Sequence, residues 1–289
     1  MPLRVRELLI AAALAGAIAP TALAEPRPAD TCGRATFRVI IDVGHTAQAP
    51  GATSARGLPE FVFNLNLAER IKQQLLDAGF RRSALLITEG PSRKGLAERI
   101  KRANALGADL FLSIHHDSVP DSFLEKWEFE GEEHGFSDRF HGHSIFISQD
   151  NSDRAGSLLF ARMLGNRLRE RGLNYTPHYT ERYMGNRQRL LVDAKAGVYR
   201  YDELLVLRDT DMPAVLLEAG SIINREEELR MGSAEHQALL GAAVVDAVES
   251  FCKARRPRTP TSTASRPGGV SRQATAPAVV VPVRAINQR

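Results

Sequence analysis

VIIDVGHTAQAP, residues 39–50, is apolar and β-branched in its first half and built of Gly, Thr, Ala and Pro in its second. Asp42 and His45 stand at the join. The segment from Phe37 to Asp42 reads as a buried strand that opens into a loop. Two readings of the join are open. One is a capped turn with a solvated histidine, and the other is a site at the carboxyl end of a strand. The surrounding chain decides between them.

Downstream, Glu60 to Leu76 carries Phe61, Leu65, Ala68, Ile71 and Leu75 at helical spacing and stops at Gly79, a natural C-cap. A short strand is expected over Ser83 to Thr88, a helix over Ser92 to Leu106 before Gly107, and a strand over Asp109 to His115. Ser144 to Ser148 reads as a strand and Arg154 to Gly172 as a helix. Leu204 to Arg208 and Ala214 to Leu217 read as strand segments, and Glu226 to Lys253 as a helix broken near Met231-Gly232. Strands alternating with helices predict an α/β fold of three layers, a mostly parallel sheet flanked by helices in one domain. Two stretches break the alternation: acidic, aromatic Val119 to His143 and Tyr- and Arg-rich Asn174 to Asp202. Long loops in a compact domain tend to be functional, so both are expected as walls or lids of a cleft.

The 289 residues are 43% hydrophobic and 25% charged, enough to build a real core. The ends differ from the body. Residues 1–24 combine Arg4 and Arg6, a short apolar run and an Ala-Leu-Ala site, the architecture of a secretory signal peptide. The apolar run is short for a membrane span, so no transmembrane segment is expected after cleavage. Residues 25–36 read as a linker, 37–253 as the catalytic body and 254–289 as a disordered basic tail. Arg255 to Arg289 holds seven Arg and no acid, and the leader adds one more positive charge. The formal net charge of +4 therefore leaves the body near −4, which argues against nucleic acid as the partner. Cys32 and Cys252 flank the body, and in an exported protein one disulfide is expected to join them, two free thiols being the alternative.

In open α/β sheets, ligands bind outside the carboxyl ends of the strands. This chain places Asp42, His45, His115 and Glu218 there, with Glu60 at the start of the first long helix. A carboxylate closing a strand as apolar as Ala214-Val-Leu-Leu217 is costly without a partner, and a divalent metal is one. Two imidazoles, one carboxylate and an open position make a catalytic zinc site, with the second carboxylate as base. The His141-Gly-His143 pair lacks a third ligand nearby in sequence, and neither Ser113 nor Ser221 stands in a nucleophile elbow.

Four blocks then resemble the zinc-dependent N-acetylmuramoyl-L-alanine amidases whose bacterial members separate daughter cells (the amidase_3 family). They are VIIDVGHT, GLPEFVFNLNLA, LFLSIHHDS and LLVLRDTDMPAVLLEAGSIINREEE, in the family's order. The resemblance implies a phosphorylase/hydrolase-like domain that cuts the amide between N-acetylmuramic acid and L-alanine in peptidoglycan. It implies that His45, Glu60 and His115 hold Zn2+ and that Glu218 is the catalytic carboxylate. Asp42 is then expected to orient the turn, Asn64 to tether the Glu60 helix turn, and His116 to stand beside the ligands. Arg208, with Arg182, Arg187 and Arg189, is a candidate for substrate contact. Val43, Thr46-Ala47 and Ser221 depart from the family pattern, and none is a ligand or the base. No inhibitory helix follows Ser144 to Ser148. The family also implies an envelope activator and a periplasmic, otherwise secreted, location. The alternative is another exported zinc amide hydrolase, such as a peptidoglycan carboxypeptidase.

Overall fold

A computed structural model describes residues 32–255 of the chain. The expected leader, residues 1–24, lies outside them, as does the tail from 256 onward.

The opening stretch forms β1 (Val39–Val43), every residue of it buried. In chain order there follow α1 (Glu60–Asp77), β2 (Ala84–Leu86), α2 (Ser92–Leu106), β3 (Leu110–Asp117), β4 (Glu125–Phe129), β5 (Glu132–Phe136), β6 (Ser144–Ile147) and α3 (Arg154–Glu170). The chain continues with β7 (Leu190–Asp193), β8 (Val198–Arg200), α4 (Leu205–Arg208), β9 (Ala214–Ser221), α5 (Arg225–Gly232) and α6 (Ala234–Ala254). Seven strands make one sheet in the order β2-β1-β3-β9-β6-β8-β7. β2, β1, β3 and β9 run parallel, β6 lies antiparallel to β9, β8 parallels β6, and β7 closes the edge antiparallel.

Side-chain alternation splits the core in two. Val39, Ile41, Leu112, Ile145, Val215 and Leu217 pack on the face covered by α1, α3 and α6. Ile40, Phe111, Phe146, Tyr199 and Leu216 pack on the other face, against α2, α4 and the segment around Tyr179 and Met184. Asp42, Ser113, His115 and Glu218 keep that second alternation, so the polar residues of three strand ends share one face. Sheet and helices make the three-layer, mostly parallel α/β domain that the alternation predicted.

The structure differs from the sequence reading in four places. Leu205–Arg208 is a one-turn helix rather than a strand, because Val206 and Leu207 turn inward onto the second core cluster. The stretch Val119 to His143 contains the β4–β5 hairpin, a separate two-stranded sheet. The stretch Asn174 to Asp202 contributes β7 and β8 to the main sheet. The expected break near Met231-Gly232 is present: it separates two helices, because the Ser233 side chain caps α6 by accepting from the His236 N–H. The tail also begins later than expected. α6 runs through Ala254, and Arg255 pairs with Asp153 at 2.7 Å and lies over the Phe251 ring. Cys32 and Cys252 are disulfide-bonded, with Cα atoms 5.1 Å apart. No helix among the described residues is long and apolar enough to cross a membrane.

Candidate metal centre

β1 ends at Val43, and the next two residues make the turn that aims His45. The Gly44 N–H donates to the Ile114 carbonyl at 3.0 Å, which pins the turn to β3. A Cβ on Gly44 would collide with the His115 ring, so only glycine lets that ring approach. His45 itself has φ 66°, in the left-handed region that a residue with a Cβ rarely occupies. Such strain persists only where the surroundings enforce it. Here the enforcing group is Arg99 of α2, whose Nη2 donates to the carbonyls of Val43 (3.0 Å) and His45 (2.7 Å). Its Nε pairs with buried Asp42 at 2.8 Å, and Ser113 Oγ donates to the same carboxylate at 2.6 Å. Asp42 therefore acts on the turn through Arg99.

Glu60 is the first residue of α1, and only 5% of it is exposed. Its Oε2 lies 2.9 Å from His45 Nε2 and its Oε1 3.0 Å from His115 Nδ1. The Ala52 N–H and Asn64 Nδ2 donate to the same carboxylate. One ligand atom from each of His45, Glu60 and His115 lies within 4.8 Å of the others. Burial alone pushes the Glu60 carboxyl up, but hydrogen bonds and positive charge from His115 and His45 outweigh it and hold the group well below the usual carboxylate range. Two imidazoles and an ionised carboxylate, with no thiolate nearby, are the donor set of a divalent-metal site. These three residues fit such an ion.

Asn64 and His116 support this group without joining it. Asn64 Nδ2 also donates to the Gly44 carbonyl, and its Oδ1 faces His116 Nδ1 at 2.7 Å. His116 is buried inside β3, which continues to Asp117. Burial pushes its pKa down to about 3, so it stands neutral beside the ligands.

Glu218 pairs in register with His115 on the neighbouring strand, and a β-bulge follows between His115 and Asp117. Bulges re-aim side chains beside active sites. Its Oε2 is buried and has no hydrogen-bond partner among the described residues. Burial, then the negative charges of Asp117 and Glu60, push its carboxyl well above the usual range, with Arg187 opposing. His45, His115 and Glu218 open onto one cavity of about 310 Å3, flanked by apolar Phe146, Leu204 and Leu216.

Arg208 does not reach this cavity. It is exposed on α4 and paired with its neighbour Asp209 at 2.6 Å. The His141–His143 pair gathers no third ligand, because His143 is buried while the Gly142 N–H is held by Glu227. Sequence reasoning named Arg187 among several arginines but missed Arg99 and the Asp117–Tyr179 pair that holds Arg187, in which Tyr179 Oη donates to Asp117 Oδ1 at 2.7 Å. Of the missed residues only Asp117, adjoining SIHH, carried any signal.

A model of the family described as N-acetylmuramoyl-L-alanine amidase (Amidase_3) matches residues 39–250. YqiI of Bacillus subtilis is 27% identical over 74% of this chain and 84% of its own. N-acetylmuramoyl-L-alanine amidase AmiC of Neisseria meningitidis is 25% identical over 74% of this chain and 52% of its own, so the chain spans about half of that relative. The crystal structure of the N-acetylmuramyl-L-alanine amidase Ami1 from Mycobacterium smegmatis superposes with a TM-score of 0.58 at 19% identity, covering 76% of this chain and 99% of that one.

Proposed function

The chain belongs to the N-acetylmuramoyl-L-alanine amidase family, enzymes that hydrolyse the amide between N-acetylmuramic acid and L-alanine in peptidoglycan, and we propose from that premise that its metal is Zn2+, held by His45, Glu60 and His115. The observation that carries the reading is the convergence of these three ligand atoms at the wall of a cavity that also holds an unpartnered, buried Glu218 oxygen.

A zinc ion in this group supplies Lewis acidity, which acidifies water and polarises a carbonyl. The chain's own residues do the rest. Glu218, its carboxyl raised well above the usual carboxylate range by burial, accepts the proton of the attacking water at Oε2 and returns it to the departing L-alanine amine. Arg99 and Asn64 keep His45 and Glu60 aimed. The apolar flank formed by Phe146, Leu204 and Leu216 limits water around the scissile bond.

The signal-peptide pattern of residues 1–24 supports export, and we place the protein in the periplasm, where it remodels the wall and separates daughter cells. An envelope activator is the proposed restraint on its activity.

Protein purified without chelator and digesting intact peptidoglycan tests this. Stoichiometric zinc, with release of stem peptides bearing a free N-terminal alanine, is expected. Glu218→Gln should keep zinc and fold while losing turnover by roughly 100-fold or more. Loss of zinc with no loss of cutting would reject the ligand set. Cuts only inside the peptide would move the activity to a carboxypeptidase.

A further inference from the structure

We propose that Arg187 and Arg189 form a carboxylate-binding wall that selects substrates carrying a free carboxylate on the residue after L-alanine. The inference rests on the amidase reading and names the substrate feature that the same site recognises.

Both arginines line the cavity that holds His45, His115 and Glu218. Arg187 is tied down through one nitrogen. Its Nη2 donates to Ser118 O (2.7 Å), Asp117 Oδ1 (3.3 Å) and Tyr179 Oη (3.3 Å). Its Nε and Nη1 have no partner among the described residues. Arg189 is held flat, with its guanidinium carbon 3.8 Å from the Tyr201 ring centroid. Its Nη1 donates to the Asn186 and Gln188 carbonyls, while its Nε is buried and unpartnered. Among the described residues no carboxylate lies within ion-pair distance of Arg189, whereas Arg187 is offset by Asp117. The cavity wall thus carries on Arg189 a positive charge that no described carboxylate offsets, beside a second pre-oriented guanidinium on Arg187. Planar guanidinium forks match carboxylates in shape as well as in charge.

The sugar side of the scissile bond offers neutral hydroxyls and acetamides, so a cationic wall fits the peptide side. Two extended residues span about 7 Å. Glu218, Arg187 and Arg189 line the same cavity, so a peptide whose first residue leaves at Glu218 has its second residue, and a carboxylate on it, on the side of the arginines. Amidation of that carboxylate removes the charge and half of the acceptor fork.

The test uses the zinc-loaded full chain and two synthetic N-acetylmuramyl-L-alanyl peptides. They are identical except for a free carboxylate or a carboxamide on the residue after L-alanine. Measured are kcat/KM for each and the Kd of each released peptide. The wild type is expected to favour the acid on the order of tenfold or more in both quantities. Arg189→Gln should bring the two substrates within about threefold of each other. Arg189→Glu should reverse the preference, which misfolding cannot do. Equal handling of acid and carboxamide by the wild type, or a preference unchanged in both variants, overturns the proposal. A protein that cuts neither substrate but binds the acid peptide in an Arg189-dependent way retains this inference and refutes the amidase reading.

Discussion

His143 shows how burial alone tunes a residue. It is 3% exposed, and neither ring nitrogen has a hydrogen-bond partner among the described residues. Burial holds its pKa down at about 4, against roughly 6.5 in an unfolded chain. Between these values the unfolded chain takes up a proton that the folded protein refuses. The stability tied to neutral His143 is therefore complete above about pH 6.5 and is lost as pH falls toward 4, a total of about 3 kcal/mol. Urea melts at pH 7, 6, 5 and 4.5 should show this decline, and His143→Leu should flatten it by one proton's share. An unchanged slope in the variant would assign the decline to other groups. In sequence His143 reads as half of an HxH metal pair, and only the packing of β6 against α3 makes it a core residue. His45, Glu60, His115 and Glu218 were legible because each sits at the end or start of an element whose pattern is plain. Arg187 was one of several interchangeable arginines until the turn from Arg182 to Arg187 fixed its direction.

At the scale of elements, the site is assembled by α2 as much as by the strands that carry its ligands. Arg99 reaches from α2 to Asp42, to the Val43 and His45 carbonyls and to Thr88 Oγ1, so one side chain joins a helix to the ends of β1 and β2. Arg99→Met should leave Asp42 as a buried carboxylate without its cation, at a cost of about 3–5 kcal/mol. It should also weaken zinc binding by 10- to 100-fold, because the His45 turn relaxes. Thermal melts and competition with a zinc-binding dye check both, and unchanged zinc affinity would remove Arg99 from the site. The hairpin works in a similar way on the opposite rim. Trp127 Nε1 donates to the Ala55 carbonyl at 2.8 Å, and Arg56 bridges the Trp127 ring and Glu228. It thereby braces the loop whose Ala52 N–H reaches Glu60. Neither contact is readable in sequence, since both join residues at least 72 positions apart. The hairpin itself was obscured because its residues follow neither a helical nor a core-strand period.

For the whole molecule, the Cys32–Cys252 bond closes a loop of 220 residues. On the chain-entropy account such a closure stabilises by about 5 kcal/mol. The Cys32→Ser, Cys252→Ser double variant should therefore unfold at markedly lower denaturant, yet show wild-type kcat/KM at 25 °C, since the bond lies at the end of α6, away from the carboxyl ends of β1 and β3. Loss of activity in a folded double variant would tie the bond to the site. The sequence by itself determined the three-layer α/β class, the order of the principal elements and the placing of His45, Glu60, His115 and Glu218 at the ends or start of elements on one edge of the sheet. Each of these follows from local periodicity or from what a strand end can carry. Tertiary structure alone decided the reversed direction of β6 and β8, the contacts by which Arg99 holds the turn, and the meeting of Arg187, Arg189 and Glu218 in one cavity. Those depend on which distant residues come within hydrogen-bond reach, a relation that no local pattern encodes.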